Sequence, residues 1–225
     1  SKVLRRDSLR SVKVGAQLHT DATAAEQFAL LTPWLEAKQQ EWGIKVRYEL
    51  GGESESSGKA NDSIAEKLPI AGFIILILLV AQFNSIRKPV IILTTIPLGL
   101  AGVVIGLLTA QSFFGFMTLL GVISLAGIVI NNAIVLLERI KIELDNGLPH
   151  AQAIVSAAQQ RARPILLTTA TTVLGLIPLY LGGGEMWEPM AVSIMAGLLF
   201  STLLTLGVIP VLYAMLYRVK WENAG

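Results

Sequence analysis

Residues 89–137 read PVIILTTIPLGLAGVVIGLLTAQSFFGFMTLLGVISLAGIVINNAIVLL, 49 positions without one charged side chain. A bilayer core is crossed by about 20 helical residues, so this stretch is too long for one span and holds two with a turn between them. The turn belongs at 110–115, where Gln111 and Ser112 precede two phenylalanines. Upstream, LPIAGFIILILLVAQF (68–83) supplies a further span, extended at its N-terminus by the helical NDSIAEK (61–67). Downstream, the charge-free runs 164–184 and 189–217 supply two more. The expected fold class is a polytopic α-helical membrane protein with five transmembrane helices, at about 61–85, 89–110, 115–138, 162–182 and 188–217.

Composition agrees. The chain has 225 residues, 53% hydrophobic and 15% charged, with a mean hydropathy of +0.61; soluble chains are about a quarter charged. Residues 1–67 carry ten Lys/Arg and ten Asp/Glu, and the remaining 158 carry eight and six. A small polar segment (1–60) therefore precedes a membrane bundle (61–225). A net charge of +2 gives no reason to expect nucleic acid as a partner. There are no cysteines and two histidines, His19 and His150, each expected in a surface loop. Thiolate chemistry is excluded and no metal site is expected. No span carries a nucleophile–base pair or a metal-ligand cluster, so an enzyme is not expected either.

Loop charge sets the expected orientation. The segments 84–88, 138–163 and 218–225 carry eight Lys/Arg in all: Arg87, Lys88, Arg139, Lys141, Arg161, Arg163, Arg218 and Lys220. The alternate loops 111–115 and 185–188 carry none. By the positive-inside rule the C-terminus is cytoplasmic and residues 1–60 lie outside. An external segment that opens SKVLRRDSLR, without a signal core, has no route across the membrane by itself. The chain is expected to be the C-terminal portion of a longer protein.

The external segment reads as a half-built α+β unit. RSVKVGAQL (10–18) alternates like a strand, a helix is expected over 22–42 with a kink or late start at Pro33, and IKVRYEL (44–50) alternates again. Strand–helix–strand suits a split βαβ, ferredoxin-like subdomain remnant. GGESESSGK (51–59) reads as a polar connector.

Within the third span, Asn131 has Gly127 four residues before it, Ser124 seven before and Glu138 seven after. These form one narrow stripe at 3.6 residues per turn. Asn132 is rotated by about 100° and cannot share Asn131's partners. An unpaired amide in hydrocarbon costs several kcal/mol, so each must meet another helix or a wet cavity. Two readings stand for these amides: helix–helix hydrogen bonds, worth about 0.6–2 kcal/mol, or a place in an internal ion relay. Packing suits Asn132 better, and for Asn131 the readings are level. The fourth span has its own stripe of Arg161, Thr168, Thr172 and Gly175. Its threonines either bond back to the preceding turn or line a hydrated path beside Asn131.

The remaining small residues, Gly102 and Gly106, Gly127, and Ser193, Gly197 and Ser201, read as helix-packing positions. Pro97, Pro178 and Pro210 are expected kinks. No Asp or Glu lies in the middle of any span. If the protein moves protons, the titrating carboxylate is elsewhere.

YELGGESESS (48–57), AQFNSIRKPVIILTTIPLGLAG (81–102), GFMTLLGVISLAGIVINNAIVLLERI (115–140) and RARPILLTTATTVLGLIPL (161–179) occur in order along the chain. In these motifs the chain resembles the resistance-nodulation-division (RND) efflux transporters, nearest their hydrophobe/amphiphile drug-export branch. The resemblance implies a transporter of two six-span halves, trimeric, in the bacterial inner membrane. It also implies a periplasmic adaptor and an outer-membrane channel as partners, with no cofactor beyond the proton gradient. Residues 10–51 would close the second porter subdomain of the C-terminal half, and the five spans would be the eighth to twelfth. The acidic pair that takes the proton would sit on the fourth span of the N-terminal half. By motif, the relay lysine of the best-known drug pumps falls on Asn131, their arginine on Arg161 and their threonine on Thr168, with Asn132, Thr172 and Ser124 in support. Asn131 is a departure, since a neutral amide cannot exchange salt bridges. It would instead orient a carboxylate or water. The alternatives are a protein- or lipid-export relative of the same architecture, and a non-transporting membrane scaffold whose amides only pack.

Overall fold

The computed structural model describes residues 4–6, 9–12, 14, 24–43, 47–48 and 53–219. The chain divides into two compact units, Ser1–Asp62 and Ser63–Gly225.

In the first unit, β1 (Leu4–Arg6) and β2 (Leu9–Ser11) pair antiparallel with Arg5 opposite Arg10. Helix α1 (Ala24–Trp42) continues through Pro33, and Gly43, at φ +61, follows its end. This corrects the expected split βαβ. Of the strand placed at 10–18, residues 10 and 11 belong to β2, whose partner precedes it rather than lying beyond α1, while 13 and 15–18 lie outside the described residues. Residues 47 and 48, inside the second expected strand, have no regular structure, while 44–46 and 49–50 lie outside the described residues. A βαβ unit must pay the entropy of a long crossover before its strands pair, whereas neighbouring segments close a hairpin cheaply. Among the described residues, no strand pairs across α1.

Five helices are long and apolar enough to cross a membrane. They belong to α2 (Glu53–Phe83), α3 (Arg87–Ala110), α4 (Phe116–Asp145), α5 (His150–Gly182) and α6 (Gly184–Leu216). Two expected connectors prove helical. The polar stretch from Glu53 to Lys59 forms the first turns of α2. The segment 138–163, expected as a loop, continues α4 and α5 as a helical hairpin turning at 146–149. At 1.5 Å per residue, α4 and α5 are about 45 and 50 Å long, against a hydrocarbon core of about 30 Å. Both therefore overhang the bilayer, and in the overhang Ala153, Ile154 and Ala157 bury themselves as in a soluble protein. His150 is the exposed first residue of α5 rather than a loop residue.

Helix ends follow local chemistry. Gln111 takes the left-handed conformation, φ 52, and its N–H donates to the Leu107 carbonyl to close α3. The Ser112 hydroxyl then donates to Glu188 of α6 at 3.3 Å, tying the two turns at that end of the bundle. At the opposite end, the Arg87 guanidinium sits 5.9 Å from the Tyr217 ring centre, and Tyr217 stacks on Tyr213 at 4.4 Å. The helices continue through Pro97, Pro178 and Pro210.

Helix α6 packs on α3, α4 and α5. Near the Tyr217 end the core joins Leu79 and Phe83 of α2, Ile91 and Ile92 of α3, and Leu136, Leu137 and Ile140 of α4 to Ile209 of α6. Near the other end it joins Val103, Leu107, Leu125, Val129, Val192 and Leu198. Lipid tails are as apolar as these side chains, so van der Waals fit rather than water release holds the helices together there. The fit is tight. A methyl at Gly102 would stand 2.5 Å from Phe200 Cβ and 3.0 Å from the Ala196 carbonyl oxygen. One at Gly106 would collide with Ala196 Cβ, and one at Gly197 with Leu125. Ser193 and Ser201 are buried on the same helix, their hydroxyls bonded back to Met190 and Leu198. Gly121, not singled out by spacing, belongs with them, since a methyl there would collide with the Ser193 hydroxyl. Gly127 does not: it is exposed, and a methyl there meets nothing.

Candidate functional site

The face of α4 that packs inward is read from Leu125, Val129, Ala133, Leu136, Leu137 and Ile140, all buried. Ser124, Gly127 and Asn131 lie off that face and are exposed. Asn132 is half-buried. Neither asparagine side chain hydrogen-bonds to any described residue. The polar stripe of α4 thus points out of the five-helix bundle, not into it.

Helix α5 behaves the same way. Thr169 is buried and its hydroxyl meets that of Thr202 on α6 at 2.8 Å. Thr168 is exposed and Thr172 half-buried, and a methyl at Gly175 would meet nothing. Both threonine hydroxyls bond back along the helix, Thr168 to the Ile165 carbonyl at 2.9 Å and Thr172 to the Thr168 carbonyl at 2.8 Å. Such bonds satisfy the donor and leave oxygen lone pairs free to accept. Arg161 is half-buried; its Nε–H is buried without an acceptor, and no described residue ion-pairs with it.

The level of each residue follows from one bond. The Gln160 amide of α5 donates to Glu143 Oε1 of α4 at 2.9 Å, which fixes the register of the two antiparallel helices. Counted from that level at 1.5 Å per residue, Asn131 lies about 18 Å along the bundle, level with Thr172, with Thr168 about 6 Å and Arg161 about 16 Å short of it. The structure therefore places Thr168 and Thr172 one turn apart on α5, with Asn131 at the depth of Thr172. Arg161 stands apart at the Tyr217 end of the bundle, beyond the reach of one side chain. The residues form a ladder along the bundle rather than a compact cluster.

Three polar features escaped the sequence reading. Glu143 is buried, 5% exposed, and its carboxylate takes an ion pair from Arg139 as well as the Gln160 bond. The i, i+4 spacing of Arg139 and Glu143, beside the spacing of Ala153 and Ala157, was the available signal for a packed hairpin. The second feature, the Thr169–Thr202 hydroxyl pair, needed knowledge of which helices touch. The third is Thr205, whose buried hydroxyl has no described partner. Among the described residues, no group of three or more His, Cys, Asp or Glu could hold a metal ion.

The chain is similar to known proteins along most of its length. The model of the AcrB/AcrD/AcrF family matches residues 1–217. Swarming motility protein SwrC of Bacillus subtilis (strain 168) is 32% identical over 184 residues, 80% of this chain and 18% of that protein. Nickel and cobalt resistance protein CnrA of Cupriavidus metallidurans is 31% identical over 180 residues, 79% of this chain and 16% of that protein. Multidrug resistance protein MdtC of Salmonella enteritidis PT4 is 36% identical over 142 residues, 61% of this chain and 14% of that protein. A crystal structure of a heavy metal efflux pump superposes with a TM-score of 0.66 at 28% identity, covering 84% of this chain and 20% of the pump chain. The chain spans less than a fifth of the length of these curated relatives.

Proposed function

The chain belongs to the AcrB/AcrD/AcrF family of RND transporters, and on that footing we propose that it is the C-terminal portion of a proton-driven exporter of the bacterial inner membrane. The observation that carries this reading is the outward polar ladder. Asn131, Ser124, Thr168 and Thr172 are polar side chains on helices fit for hydrocarbon, and none is buried in the bundle. Groups of this kind are not left against lipid. They call for a second helical bundle with complementary acceptors, and the acidic pair on the fourth span of the N-terminal half supplies them. Arg161 then meets carboxylate charge at the cytoplasmic mouth. Thr168 and Thr172 offer acceptor oxygens along the path, and Asn131 orients a carboxylate or water at the inner end. Asn131 has no charge to release, so the cation that answers each protonation step is Arg161. Trimeric assembly, a periplasmic adaptor and an outer-membrane channel complete the proposal.

The substrate class is read as amphiphilic or hydrophobic compounds, as the drug-export motifs suggest. A second reading, metal-cation export, has its own support in the likeness to CnrA and to the heavy metal efflux pump. Proteoliposomes of the full-length protein separate them. Proton flux is recorded on adding ethidium, then Ni²⁺ or Co²⁺, for wild type and for Asn131→Ala and Arg161→Ala, normalised to folded protein. Ethidium-triggered flux that both variants lose carries the drug-export reading. Flux with the metal ions alone moves the substrate to cations. No flux with either would favour the scaffold, and normal flux in Asn131→Ala would return that amide to packing.

A further inference from the structure

Glu143 is the one charged residue buried among the described residues, and the relay as drawn does not use it. It lies in the overhang of α4. Its Oε1 accepts both the Arg139 ion pair and the Gln160 amide, and its backbone carbonyl accepts from Leu148 N–H at 3.2 Å to close the hairpin turn. Gln160 donates in addition to Ser156 at 2.9 Å. Its chain neighbour is Arg161.

We propose that Glu143 is a positioning residue for Arg161, acting through Gln160. The need for it is written in the backbone. Pro164 lies inside α5, and a proline has no N–H to give to the carbonyl four residues back, which here is Gln160. The helix ladder is therefore broken at the turn that carries Arg161. A turn without its backbone bond is the easiest part of a helix to unwind or rotate. The side-chain bond from Gln160 to Glu143 replaces the lost restraint with one to a neighbouring helix. Adjacent helical residues are fixed relative to each other by about 100° and 1.5 Å, so holding Gln160 sets the direction in which Arg161 leaves α5. Arg139 pairs with the Glu143 carboxylate in its buried place, and a carboxylate is a stronger acceptor for an amide than a neutral oxygen. The inference rests on the relay reading for Arg161's purpose, while the restraint itself can be measured without transport.

The first measurement uses full-length protein carrying Arg161→Cys as its sole cysteine, with labelling by a methanethiosulfonate reagent. Glu143→Ala and Gln160→Ala are each expected to change the labelling rate severalfold, and the two together no more than either alone. Glu143→Gln, which keeps an acceptor oxygen for Gln160, is expected to restore most of the parent rate. Gln160 is exposed, so its alanine variant tests the idea even if Glu143→Ala does not fold. Unchanged labelling in Gln160→Ala overturns the proposal, as does a Glu143→Gln change as large as that of Glu143→Ala. In the flux assay, on the native Arg161 background, Glu143→Ala and Gln160→Ala are expected to lower maximal flux about tenfold at an unchanged half-saturating probe concentration. Normal flux in both, with Arg161→Ala inactive, sinks this inference alone. Normal flux in Arg161→Ala sinks the relay reading instead.

Discussion

A methyl group added at Gly106 would collide with Ala196 Cβ, whereas one added at Gly127 would meet open space. Sequence alone does not separate these glycines, since both lie in apolar helices at small-residue spacing. Their environments do. Overpacking a seam that is held only by close fit costs about 1–3 kcal/mol. Gly106→Leu is expected to lower the thermal midpoint of the detergent-solubilised parent protein accordingly, while Gly127→Ala stays within about 0.5 kcal/mol of it. A fall in Gly127→Ala as large as in Gly106→Leu would reveal a second tight seam, formed on the outward face of α4 by the rest of the parent protein.

Helices α5 and α6 meet through the buried Thr169–Thr202 hydroxyl bond. Removing one hydroxyl strands the other, at a cost of about 1–3 kcal/mol, whereas removing both leaves two apolar groups of matching shape. Thr169→Val and Thr202→Val are each expected to destabilise measurably, and the double variant to cost less than their sum. The coupling from such a cycle in membrane helices reaches about 0.6–1.7 kcal/mol; a value of zero would show that the hydroxyls meet by proximity alone. This contact also marks where sequence reading stops. The span 89–137 could be divided correctly because charge and length are properties of one segment. Thr169 is indistinguishable in sequence from Thr168 and Thr171; only the position of α6 decides which of them is buried. The charges of 138–163 signal an exit from lipid, which is not the same as an end of helix, and there α4 and α5 continue as a hairpin. Alternation over 10–18 meets β2 at residues 10 and 11 but does not reveal its partner β1, because alternation fixes a strand's face and not what it pairs with.

The bundle Ser63–Gly225 has one end rich in cations, while at the other Lys67 is paired with Glu66 and the connecting turns carry no cation, and this polarity is the basis for orienting it. Arg87, Arg139, Lys141, Arg161, Arg163 and Arg218 all fall toward the end marked by the turn at 146–149 and the close of α6. The turns at 111–115 and 183 carry none. Each Lys or Arg forced across the hydrocarbon centre costs about 2.5–3.5 kcal/mol, and by the positive-inside rule the cation-rich end is expected to be the cytoplasmic one. The absence of cysteine from this sequence makes the test direct. Phe114 and Asn146 are exposed at opposite ends; Phe114→Cys is expected to react with a membrane-impermeant maleimide added to intact cells, and Asn146→Cys only after the membrane is opened. The reverse pattern would place the Arg161 end of the ladder outside and remove the reason for reading that residue as the cytoplasmic mouth of a proton path. Labelling of both sites in intact cells would mean that the five helices do not hold one orientation without the remainder of the parent protein, and repeating the test in the full-length chain separates that outcome from a wrong topology.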